Sequence, residues 1–302
     1  MKGKKHRPVE SESTQQERIK KLVVIAMFSD DELMDCLVLK GGNALDLIHR
    51  MSTRASLDVD FSMENDFPEG ERESFRQRVE RALRVTFREA GYEVFDLKME
   101  DRPPGVTPEL AQFWGGYCIE FKLIEKDKYD QHSANIFQLR KYAVHLGQGQ
   151  KFLIDISRFE YIAGKEAQYL DGYRIFVYSA EMIVCEKLRA ICQQMPEYGP
   201  VVKRSRSGGA RARDFLDIHT LITERKLDMT LEKNKELLSA IFKAKKVPLS
   251  YLDWIKNYRE FHSADFPAVK DTIKAGVKLQ SFDFYFNYVL DLIEQLKPLW
   301  DV

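Results

Sequence analysis

Cysteine is scarce in this sequence. Its four residues, Cys36, Cys118, Cys185 and Cys192, form no C-x-x-C pair and have no His-rich stretch beside them. That argues against a disulfide framework or a structural zinc site and leaves buried, reduced thiols. Long apolar runs are missing too: none approaches the roughly 18 residues of a membrane span, and the charged start MKGKKHRPVESEST leads into no apolar stretch. A soluble, cytoplasmic protein with no membrane partner is expected. Net charge is absent, because 47 basic residues balance 47 acidic ones. No overall field draws a polyanion to the surface, so any such site must be local. The sequence also has no internal repeat, no low-complexity tract and no G-x-x-x-x-G-K-[ST] phosphate loop.

Apolar residues are plentiful. With 302 residues, 44% of them hydrophobic, the chain can bury one large core or two smaller ones, which points to a bilobed globular protein. The expected divisions are a flexible arm over 1–15, an α/β unit over 16–180 and a helical unit over 181–302. Between Gln16 and about Met34, the residues Ile19, Leu22, Val23, Ala26, Met27, Leu33 and Met34 fit a helical stripe that 29–32 can interrupt. CLVLK (36–40) is a short strand ending at Gly41 and Gly42, and NALDLIHRM then shows helical spacing with Asn43 suited to the cap. In SLDVDFSM (56–63), Leu57, Val59 and Phe61 fall on one strand face while Ser56, Asp58 and Asp60 fall on the other. A charged amphipathic helix over 70–90 and strands over 93–100, 117–126 and 151–159 imply a mixed sheet with helices packed on it. After RIFVYS (174–179) nearly everything reads as helix, broken by the loop YGPVVKRSRSGGARAR.

Several clusters suggest chemistry. Two carboxylates on alternate residues of one strand face repel each other, so Asp58 and Asp60 either bracket a cation or lie on a wet edge strand. Mg²⁺ uses one or two carboxylates plus phosphate oxygens, an arrangement this pair can supply. A Gly-Gly turn between strand and helix lets backbone N–H groups approach a phosphate, although glycine pairs also serve as plain tight turns. Asp155 is the charged residue in the middle of the apolar strand KFLIDIS and needs a partner there: a metal, a base, hydrogen bonds or an arginine. In SAEMIVCEKLRAICQQ (179–194), Ser179 suits the cap and Lys187 falls near the centre of the apolar arc. That lysine must snorkel or meet an anion, whether phosphate, Glu186 or Asp155. RARDFLDIHTL (211–221) sets Arg213 with Asp217 at i and i+4, and Asp214 with Asp217 at i and i+3. Lys203, Arg204, Arg206, Arg211 and Arg213 form the one concentrated basic stretch, suited to the backbone of a polyanion or to plain solvation.

The order KGGNAL (40–45), RASLDVDF (54–61), LIDIS (153–157), EKLRA (186–190) and RDFLD (213–217) resembles the AbiEii/AbiGii toxin family of nucleotidyltransferases, MenT-like effectors of type IV toxin–antitoxin systems. The match runs from about Leu37 to Leu221, and the chain beyond matches only loosely. The resemblance implies an α/β (α+β) fold, with a polymerase-β-like nucleotidyltransferase core built on a mixed sheet and a helical C-terminal lobe. By that resemblance Asp58, Asp60 and Asp155 are ligands of Mg²⁺ or Mn²⁺, and Gly41 and Gly42 hold the phosphates of an NTP. Lys187 would touch the triphosphate and Asp214 would lie near the nucleotide, while Ser56 and Arg54 belong to the same motif. Asn43 departs from the small hydroxyl residue common there, and would cap the helix or bond a phosphate.

The implied reaction transfers a nucleoside monophosphate from an NTP to an acceptor hydroxyl, with the tRNA 3′ acceptor end foremost. Lys203, Arg204, Arg206 and Arg211 would be the RNA contacts, and a protein antitoxin the partner of a toxin acting in phage defence. Transfer to a protein or a small molecule is the alternative within this chemistry. A non-catalytic nucleotide-binding module is the alternative outside it.

Overall fold

A computed structural model describes residues 11–49, 58–68, 70–146, 149–206, 208–271, 273 and 278–300. The expectations placed on Arg54, Ser56, Leu57 and residues 1–10 lie outside them.

Helix α1 (Glu12–Phe28) starts inside the segment expected as an arm, because Ser11 caps it by accepting from the Thr14 N–H. It stops at Ser29, and Asp30 caps a separate α2 (Asp31–Cys36) by accepting from the Leu33 N–H. This is the interruption the sequence allowed at 29–32. Strand β1 (Val38–Lys40) is buried at all three positions and runs into α3 (Gly41–Asn43), which continues as a π-helical turn over Ala44–Ile48. Asn43 does not cap it, contrary to expectation. Gly41 takes φ +68° and opens the helix three residues early, so Asn43 falls within the first turn. There it is fully buried; its Nδ2 donates to the Asp58 carbonyl, and its Oδ1 finds no partner among the described residues.

The next elements are β2 (Val59–Ser62), α4 (Arg72–Glu89), β3 (Tyr92–Arg102), β4 (Gly116–Glu125), α5 (Lys126–His132), α6 (Ile136–Lys141), β5 (Phe152–Ser157), β6 (Lys165–Leu170) and β7 (Tyr173–Tyr178). Among the described residues these strands form one mixed seven-stranded sheet in the order β3-β4-β5-β2-β1-β7-β6. Strand β2 pairs antiparallel with β1 and parallel with β5, and β1 pairs parallel with β7. Strand alternation then sorts the side chains by face. Val59 and Phe61, in register with Ile154 and Ile156, are buried; Phe61 meets Phe28 of α1 with ring centroids 6.0 Å apart. Asp60 and Asp155 therefore share the opposite face.

The helical lobe comprises α7 (Ala180–Cys192), α8 (Ala212–Arg225), α9 (Glu232–Ala244), α10 (Arg259–Ser263), α11 (Phe266–Asp271) and α12 (Phe282–Leu296). Ser179 caps α7 as expected, and that helix is buried nearly all round, Lys187 and Arg189 included, with α8 and α9 packed on it. Phe215 of α8 joins α12 through Phe282 and Phe286, each at 5.4 Å. One apolar core runs through both lobes. All four cysteines are free thiols; Cys185 and Cys192 are buried, while Cys36 and Cys118 are only half-buried. No helix among the described residues is long and apolar enough to cross a membrane.

Candidate active site

The polar face of the sheet and the helical lobe enclose a cleft of ≈ 560 Å³. Its floor is a row across the sheet, in which Lys40 of β1 pairs with Asp60 of β2, Asp60 with Asp155 of β5, and Asp155 with Cys118 of β4. Gly41 lies directly over this row, so close that a side-chain carbon there would sit 2.5 Å from Asp60 Oδ2. Gly42 and Asp58 line the same end. Burial, helped by the charge of Asp155, raises the pKa of Asp58. Burial also pushes Asp60 up to about 6, with Asp155, Glu186 and Asp58 adding to the effect and Lys40 opposing it. Crowded carboxylates whose charged forms are disfavoured have the chemistry of a cation site.

The donor set is hard oxygen, which suits Mg²⁺ or Mn²⁺. Among the described residues, however, no three His, Cys, Asp or Glu side chains converge tightly enough to hold a metal as they stand. A guanidinium occupies the third carboxylate: Arg102 Nη1, from the end of β3, donates to Asp155 Oδ1 at 2.6 Å and to Oδ2 at 2.8 Å. This is the arginine partner that the sequence left open for Asp155. Burial lowers the pKa of Arg102, but the charge and hydrogen bonds of Asp155, with smaller help from Cys118, together outweigh it and the net shift is upward.

Lys40 carried no signal of its role in the sequence. Its buried Nζ donates to Ser157 Oγ at 3.0 Å and lies 3.7 Å from Glu160 and 3.8 Å from Glu186. Glu160 is a hub: Arg189 Nη1 donates to it at 2.7 Å and Lys245 Nζ stands 3.5 Å away. Burial works against its charge, but Arg189, Lys245 and Lys40 together hold its carboxyl well below the usual range. Lys245 in turn is lowered to about 8, by burial and by the neighbouring charges of Arg189 and Lys40. Glu160, Arg189 and Lys245 lie in segments far apart in sequence, two of them outside any strand or helix, and no local periodicity marks them.

Lys187 meets neither Glu186 nor Asp155. Its Nζ donates to Asp214 at 2.9 Å and to Asp217 at 2.7 Å, all three buried, because α7 and α8 pack these faces together. Asp217 is thus taken by Lys187, while Asp214 accepts also from Arg211 at 3.2 Å. Burial opposes both charges, yet mutual attraction raises the pKa of Lys187 and holds Asp214 well below the carboxylate range. The basic stretch is dispersed. Lys203 pairs with Glu109 at 3.0 Å, Arg204 donates to the carbonyls of Gln193 and Met195 at 2.9 and 3.3 Å, and Arg206 is exposed away from the cleft. Arg211 and Arg213 line the cleft itself, as do Lys187 and Asp214; Asn43 does not.

Among solved structures, a putative nucleotidyltransferase of Helicobacter pylori is similar at 16% identity, over 96% of this chain and 99% of that one, with a TM-score of 0.50. JHP933 of Helicobacter pylori is similar at 16% identity over 96% and 95% of the two chains, TM-score 0.49. The nucleotidyltransferase toxin MenT4 of Mycobacterium tuberculosis is similar at 11% identity over 95% and 84%, TM-score 0.45. The first of these supports a nucleotidyltransferase-like fold. No curated protein matches the chain. A model of the family described as nucleotidyl transferase AbiEii toxin, type IV toxin–antitoxin system, matches residues 23–288, which takes in the glycine turn, all three carboxylates and both lobes. The chain therefore belongs to the AbiEii family of nucleotidyltransferase toxins.

Proposed function

We propose that this cleft transfers a nucleoside monophosphate from an NTP to an acceptor hydroxyl and releases pyrophosphate. The observation that carries the reading is the floor of the cleft: Asp60 is in register with Asp155 on one side and packed against the backbone of Gly41 on the other. A phosphate on the glycine turn and a cation on the carboxylates would then share one place.

Asp58, Asp60 and Asp155 would hold Mg²⁺ or Mn²⁺, which when bound offsets phosphate charge at both the attacking and leaving oxygens. The N–H groups of the Gly41–Gly42 turn orient the polyphosphate, and Arg211 and Arg213 on the cleft wall add positive charge. Lys187 fixes Asp214 in that wall, beside where the nucleotide would lie. The acceptor oxygen forms the new bond to the α-phosphorus as the bond to pyrophosphate breaks, and the hydroxyl proton passes to the Asp155 carboxylate. Lys40 stays behind Asp60, tethered to Ser157, and keeps the floor from accumulating unopposed negative charge.

The acceptor is the 3′ end of tRNA in this reading, and the setting is the cytoplasm, with an antitoxin protein as partner. Membership of a toxin family supports it. The test is incubation with Mg²⁺, each α-labelled NTP in turn and total tRNA, alongside an Asp60→Ala control. Label on RNA with the wild type alone is expected. Label on protein would replace the tRNA by a side chain, and nucleotide binding without any pyrophosphate release would make the protein a non-catalytic binder.

A further inference from the structure

The cleft has a direction. Across the sheet the order is glycine turn, Asp58 and Asp60, Asp155, then Arg102. If the leaving pyrophosphate lies over the glycines, an in-line attack must come from the opposite side, over Asp155 and toward β4 and β3. Arg102 lies on that side, and Trp114 lines the same cleft. The Arg102 side chain is 59% exposed and reaches Asp155 through one nitrogen only, Nη1. Trp114, just ahead of β4, is half-buried there and partly packed on the core, with Lys245 Nζ 5.6 Å from its ring centroid and the Tyr198 ring tilted at 6.0 Å.

We infer that Arg102 and Trp114 form the acceptor subsite and that its ligand is the 3′ end of an RNA strand, the guanidinium taking a backbone phosphate and the indole stacking a base. The inference rests on the nucleotidyl-transfer reading for its direction. Arg102 serves twice. It donates to both oxygens of Asp155, and a divalent ion held by that carboxylate would leave the guanidinium free to take the acceptor's phosphates. Planar guanidinium binds phosphate through two parallel hydrogen bonds, and an indole accepts any base on its π-face, so the pair recognises a nucleic-acid end with little sequence preference.

The test is equilibrium binding of a fluorescent RNA hairpin with a single-stranded 3′ tail, measured by anisotropy in Mn²⁺ for wild type, Arg102→Gln, Trp114→Ala and Trp114→Phe. Arg102→Gln and Trp114→Ala should each weaken RNA binding roughly tenfold or more, with Trp114→Phe recovering most of the loss. Arg102→Gln should also make the salt dependence shallower by about one unit, as loss of one phosphate contact requires. Trp114→Ala should leave NTP affinity within about twofold, as fits a group outside the nucleotide subsite. Mn²⁺ alone, followed by electron paramagnetic resonance, should bind Arg102→Gln more tightly than wild type, because a competing cation is gone. Unchanged RNA binding in both variants would overturn the inference, and so would weaker NTP binding at constant RNA affinity. Binding needs no turnover, so a wild type that binds the RNA tail through these two side chains but releases no pyrophosphate would defeat the proposed reaction and leave the RNA subsite in place.

Discussion

Replacing Gly41 by alanine separates backbone strain from site chemistry. At φ +68° a Cβ costs about 1–2 kcal/mol relative to glycine. The new carbon would stand 2.5 Å from Asp60 Oδ2 and 3.2 Å from its Cβ and Cγ. Ordinary contact is regained once the carboxylate turns aside by about 1 Å, a motion available to the end of a side chain. Stability should therefore fall by only about 1–2 kcal/mol, about 2–3 °C in Tm for a chain of this size. Function should fall much further, since a displacement of about 1 Å at a reacting centre costs on the order of 10²-fold in rate. Thermal unfolding, Mn²⁺ titration and pyrophosphate release on the same preparation check this. A folded protein with weakened Mn²⁺ binding and at least a hundredfold slower release is expected. Release within about threefold of wild type would refute the idea that the glycine turn and Asp60 serve one phosphate, and a chain that fails to fold would show that the strain was underestimated.

Glu160→Gln should lower the urea midpoint by the equivalent of about 3–5 kcal/mol, because Arg189, Lys245 and Lys40 then lose their shared buried counter-charge. The folded pKa of Glu160 is depressed, so its stabilisation is complete above the unfolded value near 4.5 and is lost as the pH falls below it; acid titration of the variant should lack that component. Asp60 has the opposite sign, being raised to about 6, so Mn²⁺ affinity should weaken roughly tenfold between pH 7 and pH 5 as a proton competes for the carboxylate. Arg204→Ala should cost about 1–3 kcal/mol of stability by orphaning the Gln193 and Met195 carbonyls, yet leave RNA affinity within about twofold, as seen by unfolding and by anisotropy.

How far the sequence could be read depended on whether the determinants were local. The alternation Val59–Asp60–Phe61 and Ile154–Asp155–Ile156 announced both strands and put the carboxylates on one face, and the pairing of β2 with β5 then follows from burying the apolar faces together. Strand β6 gave no such signal: KEAQYL has little apolar alternation, and it is paired only because Asp171 and Gly172, both at positive φ, turn the chain back from it into β7. Lys187 was legible as a cation needing an anion, but the choice of Asp214 and Asp217 required knowing how α7 meets α8. Arg102 and Glu160 were illegible for the same reason, since a charge at the end of an edge strand or in a loop looks solvated until the fold places another charge against it. The basic stretch shows the converse, a conspicuous sequence cluster that the fold disperses into an ion pair, a carbonyl clamp and the cleft wall.

Lys187 is the sharpest case of a family expectation meeting local energetics. For its ammonium to move onto a triphosphate it would have to leave at least one of two buried carboxylates, Asp214 at 2.9 Å or Asp217 at 2.7 Å. Abandoning a buried charge costs about 3–5 kcal/mol, more than one added phosphate contact returns in a cleft already supplied with Arg211 and Arg213. The lysine is better placed as the cation that lets Asp214 remain charged at the cleft wall. Lys187→Met should then destabilise the protein by about 3–5 kcal/mol, and Lys187→Met with Asp214→Asn and Asp217→Asn should recover most of that stability without recovering NTP affinity. Calorimetric unfolding and NTP titration of the single and triple variants decide it. A stable Lys187→Met that merely binds NTP less tightly would return the lysine to the triphosphate, whereas a destabilised Lys187→Met whose stability the two asparagines restore would show that the lysine serves the carboxylates.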